Sequence, residues 1–114
     1  MKTVKDTISI NELKTMSEKM FGGLVKAVVD IAQEIMVVDA GLHADQEYLL
    51  LEEGSQQKDL WGINIFPDQF GKTEFIVFDS MINLRPSVGN RTRGVDDPTI
   101  QEAIRTIVNK LVIA

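Results

Sequence analysis

The stretch LVKAVVDIAQEIMVVD, residues 24–39, decides the fold. Leu24, Val28, Ile31, Ile35 and Val38 fall at spacings that would line one face of a helix. Val25, Ala27, Val29 and Ile31 fall equally well on one face of a strand. The density of β-branched residues tips the balance, because their side chains lose rotamer freedom against a helical turn and fit a pleated sheet. The preferred reading is a hairpin, with strands near 24–31 and 35–39 and a turn at Ala32–Gln33. That turn carries no Asn-Gly or Asp-Gly pair of the kind that marks a tight hairpin.

Outward from the hairpin, both ends of the chain read as helices. Ser9 and Glu12 have the S-x-x-E spacing in which each side chain satisfies a free backbone N–H at a helix start. Leu13, Met16, Met20 and Phe21 follow on one face, and Gly22–Gly23 offers a left-handed stop. At the far end Asp97 caps, Pro98 takes the first helical position, and Ile100, Ile104, Ile107, Val108 and Leu111 form a buried stripe. Between them, AGLHADQEYLLLEEGS (40–55) predicts a turn and a short helix with Asp45 as N-cap and Gly54 as stop. LWGINIF (60–66) alternates as a strand, and EFIVFDSMINL (74–84) is apolar on both faces, as expected of a central strand. The order α-β-β-α-β-β-α predicts a single α+β domain over residues 1–114, a largely antiparallel four-stranded sheet with helices packed on it.

The bulk numbers agree with one domain. With 114 residues, 44% apolar and 25% charged, the chain can bury one core. No apolar run approaches the roughly 18 residues that would span a bilayer, so no membrane partner is expected. MKTVKDTISI lacks the longer apolar stretch of a secretory signal, so no leader is expected, and the absence of cysteine excludes disulfides and thiolate chemistry and fits a reducing compartment. The expected location is the cytoplasm. A net charge of -5 argues against a generic nucleic-acid coat protein. The charge is nevertheless unevenly placed: Asp30 to Gln57 holds seven carboxylates and no lysine or arginine, and Ser80 to Val95 holds three arginines and no carboxylate.

Those arginines sit in INLRPSVGNRTRGVDDP, residues 82–98. Arginine offers a planar fork of donors that matches a phosphate or carboxylate edge. Asn90 and the glycines Gly89 and Gly94 allow backbone N–H groups to turn toward an anion, and a helix N-terminus follows. Arg85, Asn90, Arg91 and Arg93 are therefore candidate anion-binding residues. Asn64 and Asn83, with Asp79 and Ser80, would add a polar floor beside Arg85 if the last two strands pair and the asparagines share a side. Against this, Arg85 and Arg91 could instead bridge to Asp39 or Glu52 and pin the loop, and Asp96 and Asp97 already occupy the helix start. No Walker motif, no dinucleotide-binding glycine pattern and no nucleophile elbow is present, so no cofactor is expected. Trp61 and Tyr48 read as core or core-edge aromatics. A metal site can be drawn from Asp39, His43, Asp45 and Asp79, though their spacing matches no ligand motif.

The stretches VKAVVDI, LHADQEYLLLEEGS, DLWGINIFP and INLRPSVGNRTRGVDDP together resemble a family of small prokaryotic proteins classed as a domain of unknown function, over roughly residues 10 to 112. The resemblance implies a cytoplasmic protein of unassigned role, favours the hairpin over 24–39, and supplies no catalytic residues. The expectation is a binding or interaction module whose Arg/Asn/Gly loop (85–94) meets a phosphate-bearing ligand, a nucleic acid or an acidic protein surface. The alternatives are a metal-assisted hydrolase on Asp39, His43, Asp45 and Asp79, and a structural homo-oligomer without a small-molecule ligand.

Overall fold

Residues 24–39 form the hairpin, and its turn is made by a carboxylate in place of glycine. In the computed structural model, which describes all of residues 1–114, the elements in chain order are β1 (Lys2–Val4), β2 (Ile8–Ser9), α1 (Ile10–Ser17), β3 (Val25–Asp30), β4 (Ile35–Val38), α2 (His43–Glu52), β5 (Leu60–Ile65), β6 (Ile76–Val77), α3 (Pro98–Leu111) and β7 (Val112–Ile113). Asp30, 1% exposed, ends β3. Its Oδ1 accepts from the N–H groups of Ala32 (2.9 Å) and Gln33 (3.0 Å), and its Oδ2 accepts from the Ser55 hydroxyl (2.6 Å) and the Gln33 amide (2.9 Å). A side chain that mimics a turn in this way supplies what an Asn-Gly pair otherwise would. Glu34 completes the reversal at φ 57°.

The sheet has five strands in the order β1-β4-β3-β5-β6, every neighbouring pair antiparallel, and β2 and β7 form a separate parallel pair. Helices pack on both faces. Leu13 and Met16 of α1 and Ile104, Ile107, Val108 and Leu111 of α3 join Val25, Ala27, Val29, Met36, Val38, Trp61, Ile63 and Ile65 in one cluster of 21 buried residues. Across the sheet, Leu50 of α2 meets Val28, Val37 and Leu60 in a cluster of 4. At about 1.5–3 kcal/mol for each fully buried large apolar side chain, the larger cluster is the main source of stability. The helix starts follow their caps: Ser9 Oγ accepts from the Glu12 N–H (3.1 Å) and Asp97 Oδ1 from the Thr99 N–H (2.8 Å).

The α+β class and the antiparallel sheet are as expected, and four details differ. The sheet gains β1, an edge strand too short at three residues to show alternation. The strand expected over 74–84 pairs only at Ile76–Val77, after which Met81–Asn83 turns as a 3₁₀ segment. Helix α1 stops at Ser17, and Phe21 lies outside it, fully exposed. Helix α2 begins at His43 with Leu42 at the cap position and no side-chain cap, so Asp45 lies inside the first turn.

Candidate functional site

Beyond β6 the pairing with β5 passes to Asn83, whose side chain meets Gly62. Asn83 is fully buried. Its Oδ1 accepts from the Gly62 N–H (2.8 Å) and its Nδ2 donates to the Gly62 carbonyl (2.9 Å), so one side-chain amide pairs with β5 as a peptide of a neighbouring strand would. The same Nδ2 donates to the Arg93 carbonyl (3.0 Å). This fit requires glycine on the strand. A Cβ at residue 62 would stand 2.5 Å from both Cβ and Oγ of Ser80, which is itself 1% exposed.

Asn90 repeats the device one layer out. Its Nδ2 donates to the carbonyls of Asn83 (2.7 Å), Thr92 (3.1 Å) and Gly94 (2.9 Å), and its Oδ1 accepts from the Asp96 N–H (2.9 Å). Arg85 and Asn90 exchange backbone hydrogen bonds of 2.9 and 3.1 Å, closing a small hairpin through Gly89, whose φ of 91° suits glycine. Asp96 then closes the loop, accepting from the Arg91 N–H (2.7 Å) and the Thr92 hydroxyl (2.5 Å). These bonds, led by the Thr92 hydroxyl, hold its carboxyl below the usual carboxylate range. Residues 80–96 are a clasp stitched by three short polar side chains.

The arginines divide accordingly. Arg85 reaches inward, its guanidinium donating to the carbonyls of Ile82 (3.0 Å), Gln57 (2.9 Å) and Leu60 while stacking 4.5 Å from the centre of the Trp61 ring. Burial draws its pKa down, opposed in part by the charge of Glu47. Arg93 is exposed and pairs with Asp79 at 2.8 Å. The Arg91 guanidinium is exposed and has no partner. Neither Arg85 nor Arg91 bridges to Asp39, which instead meets Lys19 at 3.0 Å. Asn64 shares its face of β5 with Leu60 and Gly62, over which Ser80 sits, but its buried Oδ1 has no partner and no hydrogen bond joins it to Asn83. The sequence therefore identified Asn83, Arg85 and Asn90 as special, but the structure turns all three inward.

Outside the clasp, between its 85–90 hairpin, the Gln57–Lys58 turn and the start of α3, lies a cleft of about 480 Å³. Such a volume is in the range of small-molecule sites. Trp61, Val88 and Ile100 give it apolar surface, Lys58 and Arg85 bring positive charge, and Asp96 and Asp97 bring negative charge. Arg85 engages three of its five N–H groups with carbonyls, which leaves two. Trp61 is 5% exposed and its indole Nε1 has no partner. Lys58 and Gln57 carried no motif, and Trp61 read as a core or core-edge aromatic, so sequence reasoning missed this cleft. A second cleft of about 400 Å³ lies between Gly71–Thr73 and Arg105 and Asn109 of α3.

The four residues of the drawn metal site do not gather. Asp39 pairs with Lys19 and Asp79 with Arg93, and no group of three or more His, Cys, Asp or Glu side chains is placed to hold a metal ion. His43 is buried beneath α2, where its Nε2–H donates to the Ile63 carbonyl at 2.7 Å. Burial pushes its pKa below 6.5, the hydrogen bond opposing this in part. A neutral, backbone-bonded imidazole is a structural part of the α2–sheet contact. Tyr48, expected at a core edge, is 65% exposed. No helix is long and apolar enough to cross a membrane.

The sequence profile of a family described as Protein of unknown function (DUF5674) matches residues 2–111. No curated protein and no solved structure matches the chain.

Proposed function

We propose, from the premise that the chain belongs to the DUF5674 family of unknown function, that it is a cytoplasmic binding module whose ligand is a phosphate-bearing small molecule. The observation that carries this reading is the cleft beside the clasp, which joins cations, an indole and two carboxylates in about 480 Å³. Lys58 and the two unengaged N–H groups of Arg85 would receive the phosphate, with Ser87 at the same wall. Trp61, Val88 and Ile100 would cover a flat or apolar body. Asp96 and Asp97 sit where donor groups of the ligand, hydroxyls or an exocyclic amine, would be accepted, and they disfavour a bare polyanion. A nucleotide has this combination of parts. The expected anionic partner is thus kept, while its contacts shift from Arg91 and Arg93 to the rim around Arg85.

The clasp supports this by fixing the cleft wall. Hydrogen-bonded asparagines on both sides of Arg85 leave little to reorganise on binding, which lowers the entropic cost. The test is a thermal-shift and calorimetric screen of nucleoside mono- and diphosphates against the wild-type chain and Lys58→Glu. A ligand at about 100 times its dissociation constant should add about 2.7 kcal/mol to stability, and Lys58→Glu should abolish the gain. No shift with any phosphate-bearing compound, in a chain that melts cooperatively, removes this reading.

A further inference from the structure

The second cleft, against the middle of α3, differs in chemistry from the one beside the clasp. One wall is the loop that joins β5 to β6. The Phe66 N–H donates to the Phe75 carbonyl (2.9 Å) and closes this loop at its base, and the rings of Phe70 and Phe75 meet edge to face at 5.2 Å. Gly71, at φ 84°, turns the chain, and Lys72 and Thr73 follow it along the cleft. The other wall is α3, where Arg105 and Asn109 stand one turn apart on a shared flank. The buried residues Phe75 and Ile76 supply the apolar part of the lining.

Every polar side chain lining this cleft can donate a hydrogen bond, and none is a carboxylate. None of the four makes a hydrogen bond within the chain. The Arg105 guanidinium lies 5.0 Å from the centre of the Phe78 ring, which holds its fork in place. Its one ionic neighbour, the exposed carboxylate of Glu102, stands at 3.7 Å, beyond hydrogen-bond range. Lys72 pairs with no carboxylate at all. Two cations, an amide and a hydroxyl thus address one space of about 400 Å³, and the complement of such a setting is an acceptor-only group carrying two charges. A phosphate monoester is such a group, with a charge of about -1.5 to -2 at neutral pH. We propose that this cleft binds a small phosphate monoester. Arg105 takes two of its oxygens through the guanidinium fork, Lys72 neutralises the second charge from the loop, and Asn109 and Thr73 donate to the remaining oxygen. Phe75 and Ile76 meet the esterified body. The site shares no lining residue with the cleft at Trp61, so it stands whether or not that cleft takes a ligand.

Titration of the wild-type chain with phenyl phosphate at constant ionic strength, followed by the NMR signals of backbone amides and arginine Nε–H groups, tests this. The expected result is a shift at Gly71, Lys72, Thr73 and the Arg105 Nε–H, with a dissociation constant of about 1 mM or tighter. Phenyl sulfate, alike in shape but singly charged, should bind about tenfold more weakly. Lys72→Glu, at an exposed position, should weaken phenyl phosphate about tenfold or more without lowering the melting temperature. Lys5→Glu, also exposed and outside both clefts, changes the net charge equally and should leave the affinity as it was. No shift at these residues up to about 20 mM ligand overturns the proposal. So do shifts confined to the residues around Trp61, an affinity indifferent to Lys72→Glu, equal losses in the Lys72 and Lys5 variants, or equal binding of the two esters.

Discussion

The two faces of the sheet are held by different physics. Under α1 and α3 the contact is apolar, and it tolerates any set of side chains that fills the space at the right density. Under α2 and beside the clasp the apolar cluster shrinks to Val28, Val37, Leu50 and Leu60. There the buried groups include His43, Gln46, Asn64, Ser80, Asn83 and Asn90, and most of the cohesion is directional. His43 donates to the Ile63 carbonyl, Gln46 to the Lys26 carbonyl at 2.7 Å, and Asn83 pairs with Gly62. An apolar contact weakens in proportion to the volume lost. A hydrogen-bonded one fails by whole groups, because each buried donor or acceptor left alone is charged its full desolvation cost. The lesson is that the clasp should be the less substitutable half of the molecule even though it buries less apolar surface.

Single substitutions on the two faces put that contrast at risk. The largest effect is expected from Asn83→Leu, which keeps the number and branching of side-chain heavy atoms but orphans the Gly62 N–H and carbonyl together. At about 1–3 kcal/mol for each orphaned group, a loss of about 4 kcal/mol should appear in urea denaturation. A change under 1 kcal/mol would erase the distinction between the faces. Gly62→Ala comes next, at about 3 kcal/mol, since its Cβ would meet Ser80 at 2.5 Å. Ser80→Gly in the same chain should recover part of that loss, and strict additivity of the two would show that the clash is relieved elsewhere. On the apolar face Ile104→Val should cost only about 1 kcal/mol despite complete burial.

The smallest effect is a pH dependence. The folded pKa of His43 lies below the unfolded value of 6.5, so the unfolded chain binds the extra proton first. Its contribution to stability is fully present above 6.5 and is lost as pH falls through the folded value. His43→Gln, which keeps a donor for Ile63, should flatten the stability profile in that window, and an unchanged slope would mean the imidazole is not responsible. Asp96 acts in the same direction at lower pH. Its pKa is held below the ordinary 3.8 by Thr92 and Arg91, so the loop bonds it makes are lost only as pH falls below the carboxylate range.

The apolar half was legible in the sequence and the polar half only in outline. Ser9–Glu12, Asp97–Pro98 and the stripe Ile100–Leu111 announce α1 and α3 because periodicity and caps are local signals. The hairpin at 24–39 was readable from β-branched density, although its turn chemistry depends on Ser55, 25 residues past Asp30, and no local pattern reveals such a partner. Residues 78–84 misled for a related reason. Their alternation continues that of a strand, but the pairing beyond Val77 is taken over by the Asn83 side chain, which no hydrophobic pattern encodes. The arginine-rich loop lies between the last sheet strand and α3 as expected, but Arg85 is pinned by backbone carbonyls and not by the carboxylates Asp39 or Glu52. Arginine and asparagine suit an external anion and a row of internal carbonyls equally well, so composition alone does not separate the two. The cleft at Lys58 and Trp61 depends on tertiary proximity between residues 57–61 and 85–100 and left no sequence mark.

The small parallel pair of β2 and β7 has a kinetic consequence. Ile8 is matched to Val112 and Ser9 to Ile113, so the strand that leads into α1 is tied to the one that leaves α3. Contacts at such sequence separation close late, because the loop entropy must be overcome before any bond in the pair is gained. During synthesis the hairpin at 24–39 is complete long before residue 112 is made. Until then Ile8, Leu13 and Met16 lack the α3 surface that covers them, and the nascent chain carries the larger apolar face of its sheet open to whatever else is near.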